Sequence, residues 1–510
     1  MASMEANGKR EAGSAREKAL TAGILLGCFV LAMVIRCAFY YGPAVAPAET
    51  YGPYHYVVSG NDPDYHKRAI DYALDTGHAL MVDPLMDYPN GGPNPNPPAF
   101  AWASIFIGML ISPFYGMDVQ QAVWMFFEAS PAFWAALSVI PVFFFTRDMF
   151  GRKPAYFAAF FIAIMAGNVE RTPLGFSDHD SFVVFFVVLA FFFLMRALKN
   201  LEDKSWVKSW KSAREISSGF LDFFSKQNVA LLYSLMAGIS IAGIMLAWKG
   251  VTYIFAILVM YFLVHTWIKR FRKEDPLGVS MIVLVSMGVS LLIAFPYYYA
   301  MYFIHWYESP FFVFVVAVIL AVLVVVTRDY PWVVVLGALV GLAAGGYIVL
   351  WKFFPSIYNI VLGFQGYFVH DKLYTTIAEA QPPDFSRMVY SYGEYVFYFG
   401  LIAIVYSAWR LPKERWRNDY IFTIMWCGMA IFMAMSAVRF MYNATPVFAI
   451  LGGWVTWTIL ELLDYKKMVK TFRGLSGGDK WHAVKSSVKV RHVAGAIFIG
   501  WMVIGSAVWY

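Results

Sequence analysis

The sequence predicts an all-α polytopic membrane protein with about thirteen transmembrane helices. Of its 510 residues, 60% are hydrophobic and 14% are charged, whereas soluble globular proteins carry about 25% charged residues. Apolar stretches such as residues 251–268 and 311–327 come close to the roughly 20 residues that a membrane-spanning helix needs. Lysine and arginine concentrate in the connections between these stretches, which is typical of cytoplasmic loops.

The basic connections also set the number and direction of the spans. We place residues 1–18 in the cytoplasm as an N-terminal tail and interpret 19–510 as one transmembrane domain, because every strongly basic connection then falls on the cytoplasmic side. The predicted spans are 19–41, 121–146, 154–168, 181–197, 229–247, 251–268, 278–300, 311–327, 331–352, 392–409, 419–437, 444–463 and 493–510. The shorter apolar stretch Ala99–Tyr115 is predicted to be an interfacial helix, because a further span there would invert every later loop.

Three external loops carry acidic motifs that face the same compartment. The loops are predicted at about 43–120, 169–180 and 353–390. The motifs are Gly60-Asn61-Asp62, Asp178-His179-Asp180 and Thr376-Ile377-Ala378-Glu379. Carboxylates are the ligands that Mg²⁺ and Mn²⁺ prefer, so the pattern predicts a divalent-cation site at the outer boundary of the membrane.

Each candidate residue also has an ordinary structural interpretation. The run Asn61-Asp62-Pro63 is typical of a turn, Asp178 is placed to cap the following helix, and Glu379 fits a solvated charge in a long loop. Arg439, at the outer end of a span, either binds a lipid phosphate or extends toward the headgroups. The functional interpretation therefore depends on the motifs occurring together.

The net charge of +7 does not indicate a nucleic-acid partner. In a membrane protein the excess of lysine and arginine belongs to cytoplasmic loops. The three cysteines, Cys28, Cys37 and Cys427, lie in apolar spans without the spacing of metal ligands. We interpret them as small core residues.

Taken together, these motifs resemble those of the catalytic subunit of oligosaccharyltransferase in its archaeal form. The resemblance extends from the first span to Tyr510, and the Gly-x-Asp, Asp-x-Asp and Thr-Ile-x-Glu motifs follow in the family's order on the corresponding loops. It implies the GT-C glycosyltransferase architecture, with long external loops 1 and 5.

The resemblance also implies roles for individual residues. The implied cation ligands, for Mn²⁺ or Mg²⁺, are Asp62, Asp178, Asp180 and Glu379. Asp62 and Glu379 would also hold the acceptor amide, and Arg439 would bind the phosphate of the donor lipid. Arg171 and His179 would support the Asp-x-Asp motif.

For the chain as a whole, the resemblance implies N-glycosylation of proteins. An oligosaccharide would pass, with inversion, from a dolichyl phosphate or diphosphate to the asparagine amide of an Asn-x-Ser/Thr sequon. The implied setting is the cell membrane, with the N-terminus in the cytoplasm and the active site outside. Archaeal relatives resemble single-subunit enzymes.

One part of the family pattern is missing from this sequence. The family's soluble C-terminal domain carries a Trp-Trp-Asp-Tyr-Gly motif that reads the sequon, and no such motif occurs before Tyr510. We therefore expect the chain to be a piece of a longer protein, or to work with a domain from another chain.

Two other functions stay open on the sequence alone. Another polyprenyl-phosphate-sugar-dependent glycosyltransferase, such as a relative of protein O-mannosyltransferases, would also have acids in its first external loop, but it does not predict the late motif with Glu379. A flippase or transporter of lipid-linked sugars would place ionisable residues near the bilayer midplane. Here the acids are predicted at the outer boundary of the membrane. Metal-dependent cleavage of the donor lipid would distinguish a glycosyltransferase from a flippase, which would lack it.

Overall fold

The structure is a computed structural model. It describes residues 15–38, 61–353 and 378–463, with gaps at 208–209, 211, 302–303 and 328–329, and also the single positions 355, 358, 465, 493, 495, 497, 500 and 501. Most of the predicted N-terminal tail and of the thirteenth span lies outside the described residues. The same holds for parts of external loops 1 and 5.

Helices make up most of the described chain. They are α1 (Ala15–Ala38), α2 (Asn61–Thr76), α3 (Ala99–Tyr115), α4 (Val119–Leu137), α5 (Val139–Phe150), α6 (Arg152–Ile164), α7 (Ala166–Val169), α8 (Asp180–Asn200), α9 (Ala213–Lys226), α10 (Asn228–Met245), α11 (Thr252–Phe271), α12 (Leu277–Ala300), α13 (Ile304–Val326), α14 (Trp332–Phe353), α15 (Phe385–Tyr392), α16 (Glu394–Arg410), α17 (Asn418–Ser436) and α18 (Met441–Leu462). Short 3₁₀ turns lie at Lys249–Val251, Ala378–Ala380 and Val438–Phe440, and two strands, β1 (Val82–Asp83) and β2 (Gly92–Pro93), form a small hairpin.

The helices confirm the predicted polytopic membrane fold. Among the described residues, ten helices are long and apolar enough to cross a membrane, or eleven if α15 and α16 form one bent span. The third predicted span corresponds to α6, which has 13 residues and is followed by the short α7. Helices suit this environment because each satisfies its own backbone hydrogen bonds where water is absent.

A sharp bend separates α15 from α16. The two helices meet at an angle of 98°, and Gly393 between them has a φ of 82°, a conformation that glycine adopts without steric strain. On the other side of α15, the side chain of Asp384 caps the helix by accepting a hydrogen bond from the backbone N–H of Arg387 at 2.6 Å. The predicted tenth span therefore starts at this bend.

The first external loop contains more regular structure than the sequence indicated. The turn interpretation of Asn61-Asp62-Pro63 is wrong, because these residues begin α2, and a proline in the first helical turn loses no intrahelical hydrogen bond. The antiparallel pairing of β1 with β2 is a small exception to the all-helical prediction. Arg68 of α2 donates two hydrogen bonds of 2.7 Å to Asp83 of β1 and so holds the hairpin against the helix.

Large aromatic side chains fill the space between the spans. The ring of Trp426 in α17 lies 5.0 Å from that of Phe145 in α5 and 4.9 Å from that of Phe191 in α8. All three side chains are fully buried, and such aromatic pairs add about 0.5–1.5 kcal/mol each to the burial of their surface. This cluster joins three spans from different parts of the chain.

Candidate metal and donor site

The residues that the sequence singled out meet at one open cavity of about 290 Å³. All seven predicted site residues line it, namely Asp62, Arg171, Asp178, His179, Asp180, Glu379 and Arg439. The other lining residues are Pro63, Phe176, Val183, Trp248, Phe440 and Asn443. Thr376 and Ile377 of the third motif lie outside the described residues. The fold thus brings together carboxylates that are hundreds of residues apart in sequence.

Asp62 enters the site from the first turn of α2. The positive end of the helix dipole favours a carboxylate at this position. Its side chain is exposed, so it is free to contact a ligand in the cavity. Asp64, two residues further along, is also exposed and does not line the cavity.

The loop between α7 and α8 presents the Asp-x-Asp motif. Gly175 has a φ of 85°, which favours glycine, and its N–H donates to the carbonyl of Glu128 at 3.0 Å. The N–H of Asp178 donates to the carbonyl of Phe176 at 2.8 Å, and Asp180 is the first residue of α8. This tight loop places both carboxylates at the N-terminal end of a span.

Arg171 links the second acidic motif to the third. Its Nη2 donates to Glu379 Oε1 at 2.5 Å, and its Nη1 lies 3.9 Å from Asp180 Oδ2. One guanidinium therefore offsets the charge of two carboxylates that would otherwise repel each other. The side chain of Glu379 remains 45% exposed, which leaves it accessible from the cavity.

A backbone hydrogen bond joins the turn that carries Glu379 to the turn that carries Arg439. The N–H of Val438 donates to the carbonyl of Gln381 at 2.9 Å. The two 3₁₀ turns are therefore adjacent, and the guanidinium of Arg439 lines the same cavity as the carboxylates. A positively charged side chain therefore lines the cavity beside the four carboxylates.

Sequence reasoning missed His66, which lies directly behind the Asp-x-Asp motif. Its Nε2 lies 3.7 Å from Asp178 Oδ1 and 3.4 Å from His179 Nδ1. His66 is only 1% exposed, and its ring packs at 5.1 Å against the ring of Phe100. The signal in the sequence was its spacing, because residues four apart lie on the same face of a helix and His66 follows Asp62 by four.

Asp178 and His179 form a charged pair. His179 Nδ1 lies 2.7 Å from Asp178 Oδ1, which also accepts the backbone N–H of His179 at 2.7 Å. Burial alone lowers the pKa of His179, but the adjacent Asp178 carboxylate outweighs burial and raises that pKa to about 9. Burial alone would raise the pKa of Asp178, yet the imidazolium of His179 holds it well below the usual range. Both groups are therefore ionised at neutral pH.

A buried polar network, which was not predicted from the sequence, supports the loop that carries Arg171. Arg36 of α1 is fully buried, and its guanidinium donates to Thr172 Oγ1 at 2.8 Å, to the carbonyl of Ala163 at 2.9 Å and to Asn168 Oδ1. Asn168 in turn donates to Thr445 Oγ1 of α18 at 3.0 Å. The network thus connects the loop of Arg171 with the helix that follows Arg439.

The donor atoms in the cavity fit a hard divalent cation. Four carboxylates, from Asp62, Asp178, Asp180 and Glu379, line one open space, and carboxylate oxygens are the preferred ligands of Mg²⁺ and Mn²⁺. Arg171 offsets only part of their negative charge. The residues present could therefore hold the cation that the sequence predicts.

Curated archaeal glycotransferases resemble this chain in sequence. It is 27% identical, over 82% of its residues, to dolichyl-phosphooligosaccharide-protein glycotransferase 3 of Archaeoglobus fulgidus. It is 26% identical, over 46% of its residues, to the dolichyl-monophosphooligosaccharide–protein glycotransferase AglB of Haloferax volcanii. These alignments cover 48% and 22% of the two relatives, so the chain spans about half, or less, of the length of the curated relatives it matches.

The fold resembles that of a solved archaeal oligosaccharyltransferase. The structure of AglB from Archaeoglobus fulgidus, in complex with an inhibitory peptide and a dolichol-phosphate, matches with a TM-score of 0.74 and 21% identity, over 97% of this chain and 56% of that one. The likeness confirms the predicted GT-C glycosyltransferase fold. In addition, residues 50–504 match the family model described as oligosaccharyl transferase STT3, N-terminal. Because that match takes in most of the 510 residues, the chain belongs to the STT3 oligosaccharyl transferase family.

Proposed function

We propose that this protein transfers an oligosaccharide from a dolichyl-phosphate-type lipid to the amide nitrogen of asparagine in Asn-x-Ser/Thr sequons. The observation that carries the proposal is the single cavity lined by Asp62, Asp178, Asp180, Glu379 and Arg439. The cavity combines carboxylates that can bind a metal ion with a guanidinium that can bind a phosphate. Membership of the family and the names of the relatives support the same reaction.

Asp62 and Glu379 are assigned to the acceptor. The nitrogen of an amide is a poor nucleophile because its lone pair is delocalised into the carbonyl. Two carboxylates that accept both N–H groups of the asparagine side chain would polarise the amide and free this lone pair. One of them would also take up the proton that the nitrogen loses. Asp62 and Glu379 come from different motifs but line the same space.

Arg439 is assigned to the donor. A guanidinium is well suited to bind a phosphate through paired hydrogen bonds, and Arg439 lies next to Phe440 and Asn443 in the lining of the cavity. As the asparagine nitrogen bonds to the anomeric carbon, the bond from that carbon to the phosphate oxygen breaks. Attack opposite the leaving phosphate inverts the configuration at that carbon.

A divalent cation, Mn²⁺ or Mg²⁺, would hold the carboxylates in place and offset negative charge near the leaving phosphate. The chain itself supplies the rest of the electrostatics. Arg171 bridges Glu379 and Asp180, and His179 pairs with Asp178. These pairs preorganise the carboxylates before the substrates arrive.

We place the site on the outer side of the cell membrane, with the N-terminus in the cytoplasm. The support is the concentration of lysine and arginine in the opposite connections, such as 147–153 and 410–417. The partners are then a lipid-linked oligosaccharide and an acceptor protein, without nucleic acid. We assign a single catalytic subunit, as the resemblance implied.

The test is glycopeptide formation by purified protein with a dolichyl-phosphate-linked sugar and an Asn-x-Thr peptide, followed by mass spectrometry. The expected product requires Mn²⁺ or Mg²⁺, disappears with a chelator and is lost in Asp62→Ala. Asp64→Ala is the matched control, because Asp64 is an exposed carboxylate of the same helical turn that does not line the cavity. Metal-independent product, or equal loss in the two variants, would contradict the proposal.

The two alternatives are less well supported. A flippase has no need for four carboxylates around one cavity that also holds an arginine, and the named relatives are glycotransferases. The other alternative is a glycosyltransferase that acts on a hydroxyl acceptor. The same assay distinguishes it from the proposed function when the peptide keeps its serine or threonine but has its asparagine replaced. Product with that peptide would favour this alternative.

A further inference from the structure

We infer that His66 is a positioning residue that fixes Asp178 relative to Asp62 and so sets the affinity of the site for its cation. The inference rests on the proposed function, because it takes both carboxylates as cation ligands. Its basis is the position of a fully buried imidazole between the two acidic motifs. A role of this kind predicts a change in metal affinity that a packing role does not.

The contacts around Asp178 converge on one of its two oxygens. Oδ1 receives the ring and the backbone N–H of His179, both at 2.7 Å, and faces His66 Nε2 at 3.7 Å. Since Asp178 lines the cavity, the other oxygen, Oδ2, is the one left for a ligand. Fixing Oδ1 therefore fixes the direction in which Oδ2 is presented.

His66 also connects this oxygen to Asp62. The two residues lie one turn apart on the same face of α2, so the contacts that hold the His66 ring also bear on the helix turn that carries Asp62. The ring is held by Phe100 of α3, at 5.1 Å between centroids, and by the ring of His179, at 5.6 Å. His66 thus sets the position of Asp178 relative to Asp62, although the two carboxylates come from separate segments of the chain.

Histidine suits this place for a chemical reason. The buried ring presents a polar nitrogen, Nε2, to both Asp178 and His179. A leucine would fill similar space without that nitrogen. Groups that orient metal ligands in this way typically change metal affinity by about 10–100-fold when they are removed.

The experiment measures Mn²⁺ binding directly, by the loss of the free Mn²⁺ signal in electron paramagnetic resonance, with the purified full chain in detergent. We expect His66→Leu to weaken Mn²⁺ binding about 10–100-fold while the KM for the donor lipid stays unchanged. His66→Gln keeps a polar amide group near the position of Nε2, and it is expected to stay within about threefold of the wild type, because a polar neighbour of Asp178 is retained. His78→Leu is the matched control, since His78 is exposed and is not part of the cavity lining.

The outcomes are distinguishable. Wild-type affinity in folded His66→Leu overturns the inference and leaves the proposed function standing. If the leucine variant does not fold, His66→Met, which is unbranched and adapts to irregular space, takes its place with the same expectation. A glutamine variant as weak as the leucine variant also overturns the role of the nitrogen. A wild-type protein that does not bind Mn²⁺ or Mg²⁺ overturns both the inference and the metal dependence in the proposed function.

Discussion

Arg171 and Glu379, which are 208 residues apart in sequence, form a hydrogen-bonded ion pair of 2.5 Å, and both line the cavity. The pair joins the loop before α8 to the turn Ala378–Ala380 within external loop 5. Arg171 also approaches Asp180 at 3.9 Å. The guanidinium therefore holds the third acidic motif beside the second one.

Replacing Glu379 with glutamine is expected to reduce transfer by about 100-fold or more, because the amide neither carries the negative charge nor takes up a proton. The melting temperature should stay near that of the wild type, since Glu379 is 45% exposed and exposed ion pairs contribute about 0–1 kcal/mol. Glycopeptide yield and thermal unfolding in detergent check both parts.

Glu170→Gln is the matched control for this prediction. Glu170 is also 45% exposed, and it pairs with Arg387 at 3.5 Å without lining the cavity. The control should retain wild-type activity. Full activity of Glu379→Gln would exclude this residue from the reaction.

Arg439→Ala is expected to raise the KM for the donor lipid roughly 10–100-fold, because a charge-assisted hydrogen bond is worth about 1.5–3 kcal/mol. The KM for the acceptor peptide should change little. Steady-state kinetics with each substrate varied in turn measure the two constants. An unchanged donor KM would instead indicate that Arg439 only extends toward the headgroups. Arg387→Ala, an exposed arginine outside the cavity lining, serves as the control.

The sequence allowed the spans and the acidic motifs to be predicted for different physical reasons. Spans leave a long apolar signal because every lipid-facing side chain must be apolar. Asp178, Asp180 and Glu379 were recognisable because few charges occur in such a sequence. All of the predicted site residues lie in one cavity, although their individual roles stay predictions.

The remaining features depend on contacts between distant segments. His66 gains its role only when α2 packs against the loop of Asp178, and nothing in the sequence near His66 specifies that packing. Asn61-Asp62-Pro63 is compatible with both a turn and a helix start, because proline is tolerated in either. The pairing of Arg68 with Asp83 likewise depends on the hairpin, which is too short to leave an alternating pattern.

The Arg68–Asp83 ion pair predicts a pH-dependent stability of the external region. Hydrogen bonds from Arg68 lower the pKa of Asp83 to about 2, below the value of about 4 in an unfolded chain. The ionised carboxylate therefore stabilises the fold above about pH 4, and this stabilisation is lost as the pH falls from about 4 to about 2. The difference in melting temperature between the wild type and Asp83→Asn should be largest near pH 7 and shrink over that range. A difference that does not depend on pH would contradict the assignment.

Gly453→Ala is expected to destabilise the packing of α6 against α18. A β-carbon at Gly453 would lie 2.6 Å from both the carbonyl oxygen of Pro154 and the backbone nitrogen of Ala158, so the helices would have to separate. Overpacking of this kind costs about 1–3 kcal/mol. The melting temperature in detergent should fall accordingly. Gly428→Ala in α17, where a β-carbon meets no atom within 4 Å, should leave it unchanged or raise it.

Arg36 is expected to be essential for the integrity of the loop that carries Arg171 and Asp178. Its guanidinium donates to Thr172, to Asn168 and to the carbonyl of Ala163, and Arg36→Met would leave these buried acceptors without that partner. Each buried group left unsatisfied costs about 1–3 kcal/mol. Arg36→Lys should rescue little, because an ammonium group lacks the planar fork that reaches several acceptors at once.

Hydrogen exchange separates this effect from a general loss of stability. Under conditions where Arg36→Met remains folded, exchange should rise first in residues 166–178, because the network connects that segment to α1 and to Thr445 of α18. Arg152→Met, which removes an exposed ion pair of 2.9 Å with Glu17, should leave the same segment protected. Uniformly raised exchange across all helices would show that Arg36 stabilises the bundle as a whole, and the network would then have no particular connection to the site.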